Sequence, residues 1–265
     1  MTEILTLLDA AHAAVSADPE NETARLRFYE RLADGEMFLL LEREATGGTI
    51  EPRVFDLESG PVVLVFDREE RLAEFSGGVA PYAALPGRVI AAQLKGQGIG
   101  LGVNLGVAPS EMLLPPEAMD WLAETLEGGP EETEGSPEEF VPPSAPEALI
   151  TGLDAKLARA GGLAAAAFLT GVRYADGRRG HLLVFLGATA GAEPALARAA
   201  REALVFSGIE AGEMDVAFLP PGDPALAALA KVALRFDLPQ PEDHAAEAPR
   251  PAAPGSDPAK PPRLR

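Results

Sequence analysis

Cysteine is absent from the 265 residues of this chain, and several kinds of chemistry are excluded with it. A chain without cysteine forms no disulfide, binds no metal through thiolates and has no cysteine nucleophile. Histidine is scarce, since only His12, His181 and His244 occur, and their spacing is not that of a metal-binding pair. We therefore predict no metal site and no cofactor, and the lack of cysteine fits a reducing compartment.

Positive charge is also in short supply. The chain has 22 Lys and Arg against 41 Asp and Glu, which gives a formal net charge of −19 at pH 7. Proteins that bind nucleic-acid duplexes neutralise the phosphates with a basic surface. This acidic chain lacks one, so nucleic acid and anionic membranes are unfavourable partners. No apolar run reaches the roughly 18 residues of a membrane helix. The acidic, amphipathic start MTEILTLLDAAHAAV does not resemble a signal peptide, so we expect a cytoplasmic protein.

The distribution of proline, glycine and apolar residues divides the chain into four parts. Residues 1–127 and 145–238 mix helical with strand-like stretches, which predicts two small mixed domains of the α+β class. Residues 128–144, GGPEETEGSPEEFVPPS, are rich in Pro, Gly and Glu and are predicted to be an acidic linker. Residues 239–265 are dense in proline without an apolar period, which predicts a disordered tail of polyproline-like character.

Capping patterns predict where several helices begin. Asp18-Pro19 and Asp223-Pro224 each place proline at a first helical position, and the second pair would open a helix over ALAALAKVAL. Asp67-x-x-Glu70 and Ser144-x-x-Glu147 resemble capping boxes. Further helices are predicted over 85–94, 115–126 and 193–206, and strands over 37–41, 52–55, 61–66, 163–174, 181–187 and 215–220.

The glycine-rich stretch GQGIGLGVNLGVAPSEMLLP, residues 96–115, does not fit a phosphate-binding loop. No register gives G-x-G-x-x-G, and no lysine follows in the position that a P-loop requires. Glycine instead alternates with aliphatic residues over 98–103, the period of a strand whose bare face lets another backbone approach. Asn104-Leu105-Gly106 would turn the chain towards a return strand at 111–114. The alternative is a shallow groove over the glycine face that binds a ligand or a peptide.

Arg88 is the most informative charged residue. It follows Pro86-Gly87 at a predicted helix start, where the helix dipole does not favour a cation, so it should pair with a carboxylate or a bound anion. Paired carboxylates are common but mostly fall at helix starts or in the linker, and no G-x-S-x-G surrounds Ser110. We find no catalytic constellation. The predicted binding surface consists of Tyr82, Arg88, Asn104, Gly106 and Ser110.

Two blocks of this sequence resemble the SseB family, whose name stands for enhanced serine sensitivity. The first is ALPGRVIAAQLKGQGIGLGVNLGVAPSEMLLPPEAMDWL, where Asn104-Leu105-Gly106 replaces the family's usual asparagine-proline-glycine turn. The second is FLPPGDPALAALAKVALRFDLP, with Pro221-Gly222-Asp223-Pro224 and the run 235–239. The resemblance implies a soluble bacterial protein with an N-terminal and a C-terminal SseB domain. It implies no established reaction, because no catalytic motif of the family can be carried over.

Three functional hypotheses follow. The first is a non-enzymatic adaptor or binding protein that recognises a protein partner or a small ligand. The second is an enzyme or regulator acting on a small metabolite, linked through the family name to amino-acid metabolism. The third is that the acidic linker and the proline-rich tail present a docking segment to another protein.

Overall fold

A computed structural model describes residues 5–45, 47, 49–129, 135–208 and 214–240. We refer to residues 5–129 as the N-terminal half and to residues 135–240 as the C-terminal half. The helices of the N-terminal half are α1 (Leu7–Ala17), α2 (Glu22–Asp34), α3 (Glu69–Ser76), α4 (Gly87–Leu94) and α5 (Pro116–Glu127). Its strands are β1 (Glu36–Leu40), β2 (Val54–Leu57), β3 (Gly60–Phe66), β4 (Tyr82–Pro86), β5 (Gly100–Val103) and β6 (Met112–Leu114).

The strands of the N-terminal half form one mixed sheet in the order β4-β1-β3-β5-β6, with β2 also paired to β3. Strands β3 and β5 are parallel, and Val65 lies opposite Val103. Alternate residues of the buried strands face opposite sides of the sheet. One face packs against α1, α2, α4 and α5 around Phe28, Leu32 and Met119, and the other packs against α3.

The C-terminal half repeats this mixture of helices and strands around a second sheet. Its elements are β7 (Pro137–Val141), α6 (Glu147–Leu157), β8 (Ala166–Tyr174), β9 (Arg179–Leu186), α7 (Glu193–Phe206), β10 (Met214–Leu219), α8 (Leu226–Leu229) and β11 (Leu234–Asp237). The strand order is β10-β9-β8-β11, with β7 also paired to β8. Helices α6 and α7 cover one face of this sheet, and the short α8 packs on the other. The predicted α+β class is confirmed.

Part of the stretch predicted to be a linker is a strand. Residues 137–141 form β7, in which Phe140 lies opposite Val172 of β8. Strand β11 pairs only with residues 166–169 of β8, so the far end of β8 keeps backbone groups that β7 can satisfy. Glu139 is also 2.7 Å from Arg173 across the pair. An acidic linker was predicted here because composition reflects the charge of the segment. It does not reveal that β8 has an edge without a partner.

Three predicted caps are wrong. The cap of α2 is Asn21, whose side-chain oxygen accepts the Ala24 N–H at 2.9 Å, whereas Asp18 lies at the end of α1. Asp67 does not cap α3, because its carboxylate is drawn to Arg71 at 2.8 Å. Ser144 does not cap α6, which begins after Pro146 without a side-chain cap.

The last predicted helix is much shorter than its apolar run suggested. Helix α8 spans only Leu226–Leu229, and the chain then turns into β11, which was not predicted. Strand β4 was also missed, because the apolar run before Gly87 was assigned to the following helix. The predicted tail, apart from residues 239 and 240, lies outside the described residues. No helix within the described ranges combines the length and the apolarity needed to cross a bilayer.

The glycine-rich stretch forms the predicted hairpin. Strand β5 pairs with β6 in antiparallel register, with Leu101 opposite Leu114. A Cβ on Gly100 would lie 2.6 Å from the backbone oxygen of Leu114, so this position requires glycine. At Gly102 a Cβ would lie 2.6 Å from Leu64 and 2.7 Å from Leu105. Because side chains already fill the space over Gly102, the alternative of an open groove over the glycine face is wrong there.

Candidate binding cleft

The two halves share a hydrophobic contact. Phe206, the last residue of α7, is buried in the core of the N-terminal half rather than in that of its own half. Its ring centroid is 6.5 Å from that of Trp121 on α5, and the Lys156 ammonium lies 5.7 Å from the Phe206 ring centre. A large aromatic side chain buried across such a boundary holds the two halves together.

Arg88 lies beside this contact. Helix α4 begins at Gly87, where a Cβ would be 1.9 Å from the backbone oxygen of Leu32, so only glycine lets α4 approach α2 so closely. The guanidinium of Arg88 donates to both carboxylate oxygens of Glu202 on α7, each at 3.0 Å. It also donates to Asp34 at the end of α2, at 2.5 Å. The prediction that Arg88 pairs with a carboxylate is confirmed.

Lys156 of α6 completes a cluster of four charges. Its ammonium is 2.7 Å from Asp34 and 2.8 Å from Glu202. Burial alone would raise the pKa of both carboxyl groups, but the two cations outweigh burial and lower both pKa values. The hydrogen bonds to Glu202 are the largest influence on Arg88 and raise the pKa of its guanidinium. Two cations and two carboxylates make this cluster neutral as a whole.

The cluster forms the floor of a cleft of about 430 Å³ between the halves. Two more cations line this cleft, Arg159 after α6 and Arg198 on α7. Arg159 donates to the backbone oxygen of Asp34 at 3.1 Å and also lies 3.4 Å from the Asp34 carboxylate. Arg198 has no carboxylate partner among the residues that the structure describes. The remaining lining is mostly aliphatic, from Pro86, Ala160, Leu163, Ala195, Leu196 and Ala199. The cleft therefore carries about two positive charges more than its own carboxylates neutralise.

A second cluster of polar residues is buried where α1 packs on the ends of β3 and β5. Asp9 accepts two hydrogen bonds from Arg71, at 2.6 and 3.0 Å, and one from the Ser110 hydroxyl at 2.5 Å. Burial alone would raise the pKa of Asp9, but these bonds and the Thr6 N–H lower it to about 2. Asn104 donates to the Ser110 oxygen at 2.9 Å. Because each member is satisfied by the others, we interpret this cluster as structural.

Asn104 has a backbone requirement of its own. Its φ of 48° is in the left-handed region, which asparagine tolerates better than most residues. Its side-chain oxygen accepts the Asp67 N–H at 3.1 Å, and its backbone N–H donates to Val65. Asn104 thereby joins the end of β5 to the end of β3.

The five predicted site residues lie at three separate places in the structure. Asn104 and Ser110 are hydrogen-bonded in the buried cluster, and Gly106 is exposed in the same loop, where its N–H donates to Glu111. Arg88 lies in the cleft. Tyr82 is on edge strand β4, with its ring 5.4 Å from that of Phe38. Strands β4 and β5 are three strand spacings apart, about 14 Å.

Sequence reasoning found Arg88 but missed its partners Asp34, Lys156 and Glu202. One signal was available for Glu202: it lies four residues before Phe206, so both share one face of α7. If a face that carries a large aromatic is buried, a carboxylate on the same face needs a nearby cation to compensate its charge. No comparable pattern marks Asp34 or Lys156, because their environment is formed by elements far away in sequence.

Comparison with known proteins gives a match for the first half of the chain alone. No curated protein and no solved structure matches the chain. The resemblance of the C-terminal half to the second SseB domain stays a prediction. Residues 8–121 match the SseB protein N-terminal domain, so the predicted resemblance to the SseB family is confirmed for this part of the chain.

Proposed function

We propose that the protein is a non-catalytic binding protein that takes a small organic anion in the cleft between its two halves. The observation that carries this proposal is the surplus of cations there. A chain with a net charge of −19 places Arg88, Lys156, Arg159 and Arg198 around one cleft with only two carboxylates. Field lines concentrate in such a concave site and raise the local concentration of anions.

The size and the lining of the cleft support a small amphipathic ligand. Its volume of about 430 Å³ is within the range of small-molecule sites. The arginines Arg159 and Arg198 suit a carboxylate or a phosphate, because a guanidinium donates two parallel hydrogen bonds to either group. The wall formed by Ala195, Leu196 and Ala199 suits a short aliphatic part of the same molecule.

The ionisation of the carboxyl groups in the cleft and in the Asp9 cluster favours binding over catalysis. General acid–base catalysis works best when a group has a pKa near the operating pH. Asp34 and Glu202 have lowered pKa values, and the pKa of Asp9 is about 2. All three are therefore held as paired carboxylates at neutral pH, which suits a structural or electrostatic role.

Isothermal titration calorimetry at low salt tests the proposal. The probes are succinate, O-phospho-L-serine and inorganic phosphate, with zwitterionic L-serine as the neutral comparison. We expect the anionic probes to bind, binding to weaken with salt, and Arg198→Glu to abolish it without loss of fold. Arg179→Ala, an exposed arginine outside the cleft lining, is the control and should bind normally. Absence of heat for every anionic probe, or full binding by Arg198→Glu, would overturn the proposal.

A further inference from the structure

Helices α2 and α5 leave an aromatic notch on the surface of the N-terminal half. The notch has a volume of about 290 Å³ and is lined by Glu22, Arg25, Leu26, Tyr29, Ala118 and Trp121. We call it the Trp121 notch. The rings of Tyr29 and Trp121 meet edge to face at 5.0 Å, and Trp121 remains 38% exposed. Two aromatic rings set at an angle in an open notch are the type of surface that binds polyproline helices.

The chain itself contains a ligand of this chemistry. Residues 249–265, PRPAAPGSDPAKPPRLR, include six prolines in 17 residues. A proline-rich sequence favours the polyproline II conformation, so it binds with little loss of conformational entropy. Pro258-x-x-Pro261 gives the spacing that places two prolines on one side of such a helix, and Arg263 follows two residues later. This segment lies outside the described residues.

Charge favours contact between this segment and the rest of the chain. Arg250, Lys260, Arg263 and Arg265 against Asp257 give residues 249–265 a net charge of +3, so residues 1–248 carry −22 of the total −19. At the notch, Glu22 lines one side, and Glu117 is exposed one turn before Trp121 on the same face of α5. Arg25 is the one cation of the lining, so the two acids outnumber it.

The segment is long enough to reach the notch within one molecule. The described chain ends at Gln240, whose side chain donates to the backbone oxygen of Leu238 at 3.0 Å. Pro258 is the 18th residue after Gln240, and 18 residues span about 56 Å at the polyproline rise of about 3.1 Å per residue. A folded body of 240 residues has a radius of gyration of about 18 Å, so this span is about three times that radius and reaches much of the surface.

We infer that residues 249–265 dock in cis on the Trp121 notch as a polyproline helix. Pro258 and Pro261 pack against the rings of Tyr29 and Trp121, and the neighbouring cations Lys260 and Arg263 lie towards Glu22 and Glu117. The tail thus occupies the Trp121 notch and competes with any proline-rich segment of another protein for this surface. Docking of the tail does not depend on anion binding in the cleft, so each can be tested without the other.

Trp121 is the only tryptophan of the chain, so its fluorescence reports the notch directly. The experiment compares the full-length protein with a variant that ends at residue 248, both checked by circular dichroism. We expect truncation to shift the Trp121 emission to longer wavelength and to increase its quenching by acrylamide. A synthetic peptide of residues 249–265, added to the truncated protein, should reverse both changes in a saturable way.

Proline-to-alanine variants of the full-length protein provide matched controls. Replacing Pro258, Pro261 and Pro262 should reproduce the truncated spectrum, whereas replacing Pro249, Pro251 and Pro254 should leave the full-length spectrum unchanged. Glu22→Lys should weaken the effect of the added peptide. Identical emission from full-length and truncated protein would overturn the inference. A difference that grows with protein concentration would also overturn it, because the tail of a second copy would then occupy the notch.

Discussion

Arg88 and Glu202 are 114 residues apart in sequence, yet their side chains form a two-pronged pair with both hydrogen bonds at 3.0 Å. One belongs to the N-terminal half and the other to the C-terminal half. Glu202 is 97% buried, so its charge depends on Arg88 and Lys156 for compensation. The pair therefore connects the stability of the two halves.

Removal of Glu202 should leave three cations, Arg88, Lys156 and Arg159, facing the single carboxylate of Asp34. Breaking a buried pair by removing one partner typically costs about 3–5 kcal/mol. Because Arg88 is partly exposed, we expect Glu202→Ala to lower the free energy of unfolding by about 3 kcal/mol, measured by urea denaturation. Glu193→Ala, an exposed change at the start of the same helix, should have little effect. Equal effects of the two changes would contradict the role of the pair.

Phe206→Ala tests the hydrophobic contact between the halves. Truncating a buried phenylalanine typically costs about 3–5 kcal/mol, through lost burial and the cavity left behind. We expect that loss in urea denaturation, together with weaker hydrogen-exchange protection in α2 and α5 of the other half. The neighbouring Val205→Ala, a half-buried position, is the control. Unchanged protection in both helices would show that Phe206 stabilises only its own half.

Glu30 should destabilise the folded protein at neutral pH. Its side chain is 98% buried, and within the described part of the chain its Oε1 has no hydrogen-bond partner, although Arg27 contacts Oε2 at 3.2 Å. Burial raises the pKa of Glu30 above 4.5 despite the nearby charge of Lys156. A raised carboxyl pKa means that the folded state binds the proton more tightly, so stability increases as the pH falls through the folded pKa towards 4.5.

Glu30→Gln should therefore stabilise the protein at pH 7 and flatten the pH dependence above 4.5. The measurement is a series of urea denaturations from neutral to mildly acidic pH. Glu20→Gln, at an exposed position before α2, should leave the profile unchanged. Loss of stability in Glu30→Gln at neutral pH would show that the Arg27 contact outweighs the burial of the charge.

Asp9 should have the opposite pH dependence. Its pKa falls from 3.8 to about 2 in the folded protein, so its stabilising effect is complete above 3.8 and is lost as the pH falls towards 2. At about 1.4 kcal/mol per pKa unit, Asp9→Asn should cost about 2 kcal/mol at neutral pH. Asp56→Asn, an exposed change on β2, is the control for denaturation measured across the acid range. If the stability of Asp9→Asn falls as steeply in acid as that of the unchanged protein, other carboxyl groups cause the loss of stability at low pH.

The parts of the fold that depend on local pattern could be predicted from the sequence. Alternation of glycine and aliphatic residues indicated β5 and its return strand, and apolar spacing indicated α5 and α7. Strands β7 and β11 were missed because each pairs with an edge of β8 that no local pattern reveals, and β4 was missed because its apolar run was assigned to the following helix. The caps failed for a similar reason, since Asp67 could cap α3 only if Arg71 were not a stronger partner.

The same limit applies to the cleft. Arg88 stood out because its position at a helix start required a nearby negative charge, a local argument. Its partners Asp34 and Glu202 come from different halves, and their approach depends on the packing of α2 against α7. Charge pairs between distant elements leave no periodic signal in a single sequence.

The position of Phe206 also affects how the N-terminal half folds during synthesis. Residues 5–129 leave the ribosome about 80 residues before Phe206 does, which at 5–20 residues per second is a delay of about 4–16 s. During that interval the first core lacks one of its aromatic side chains and exposes the apolar site that Phe206 will fill. The nascent N-terminal half therefore exposes apolar surface of the kind that favours aggregation until α7 has been synthesised, and a chain that ends before Phe206 would lack part of this core.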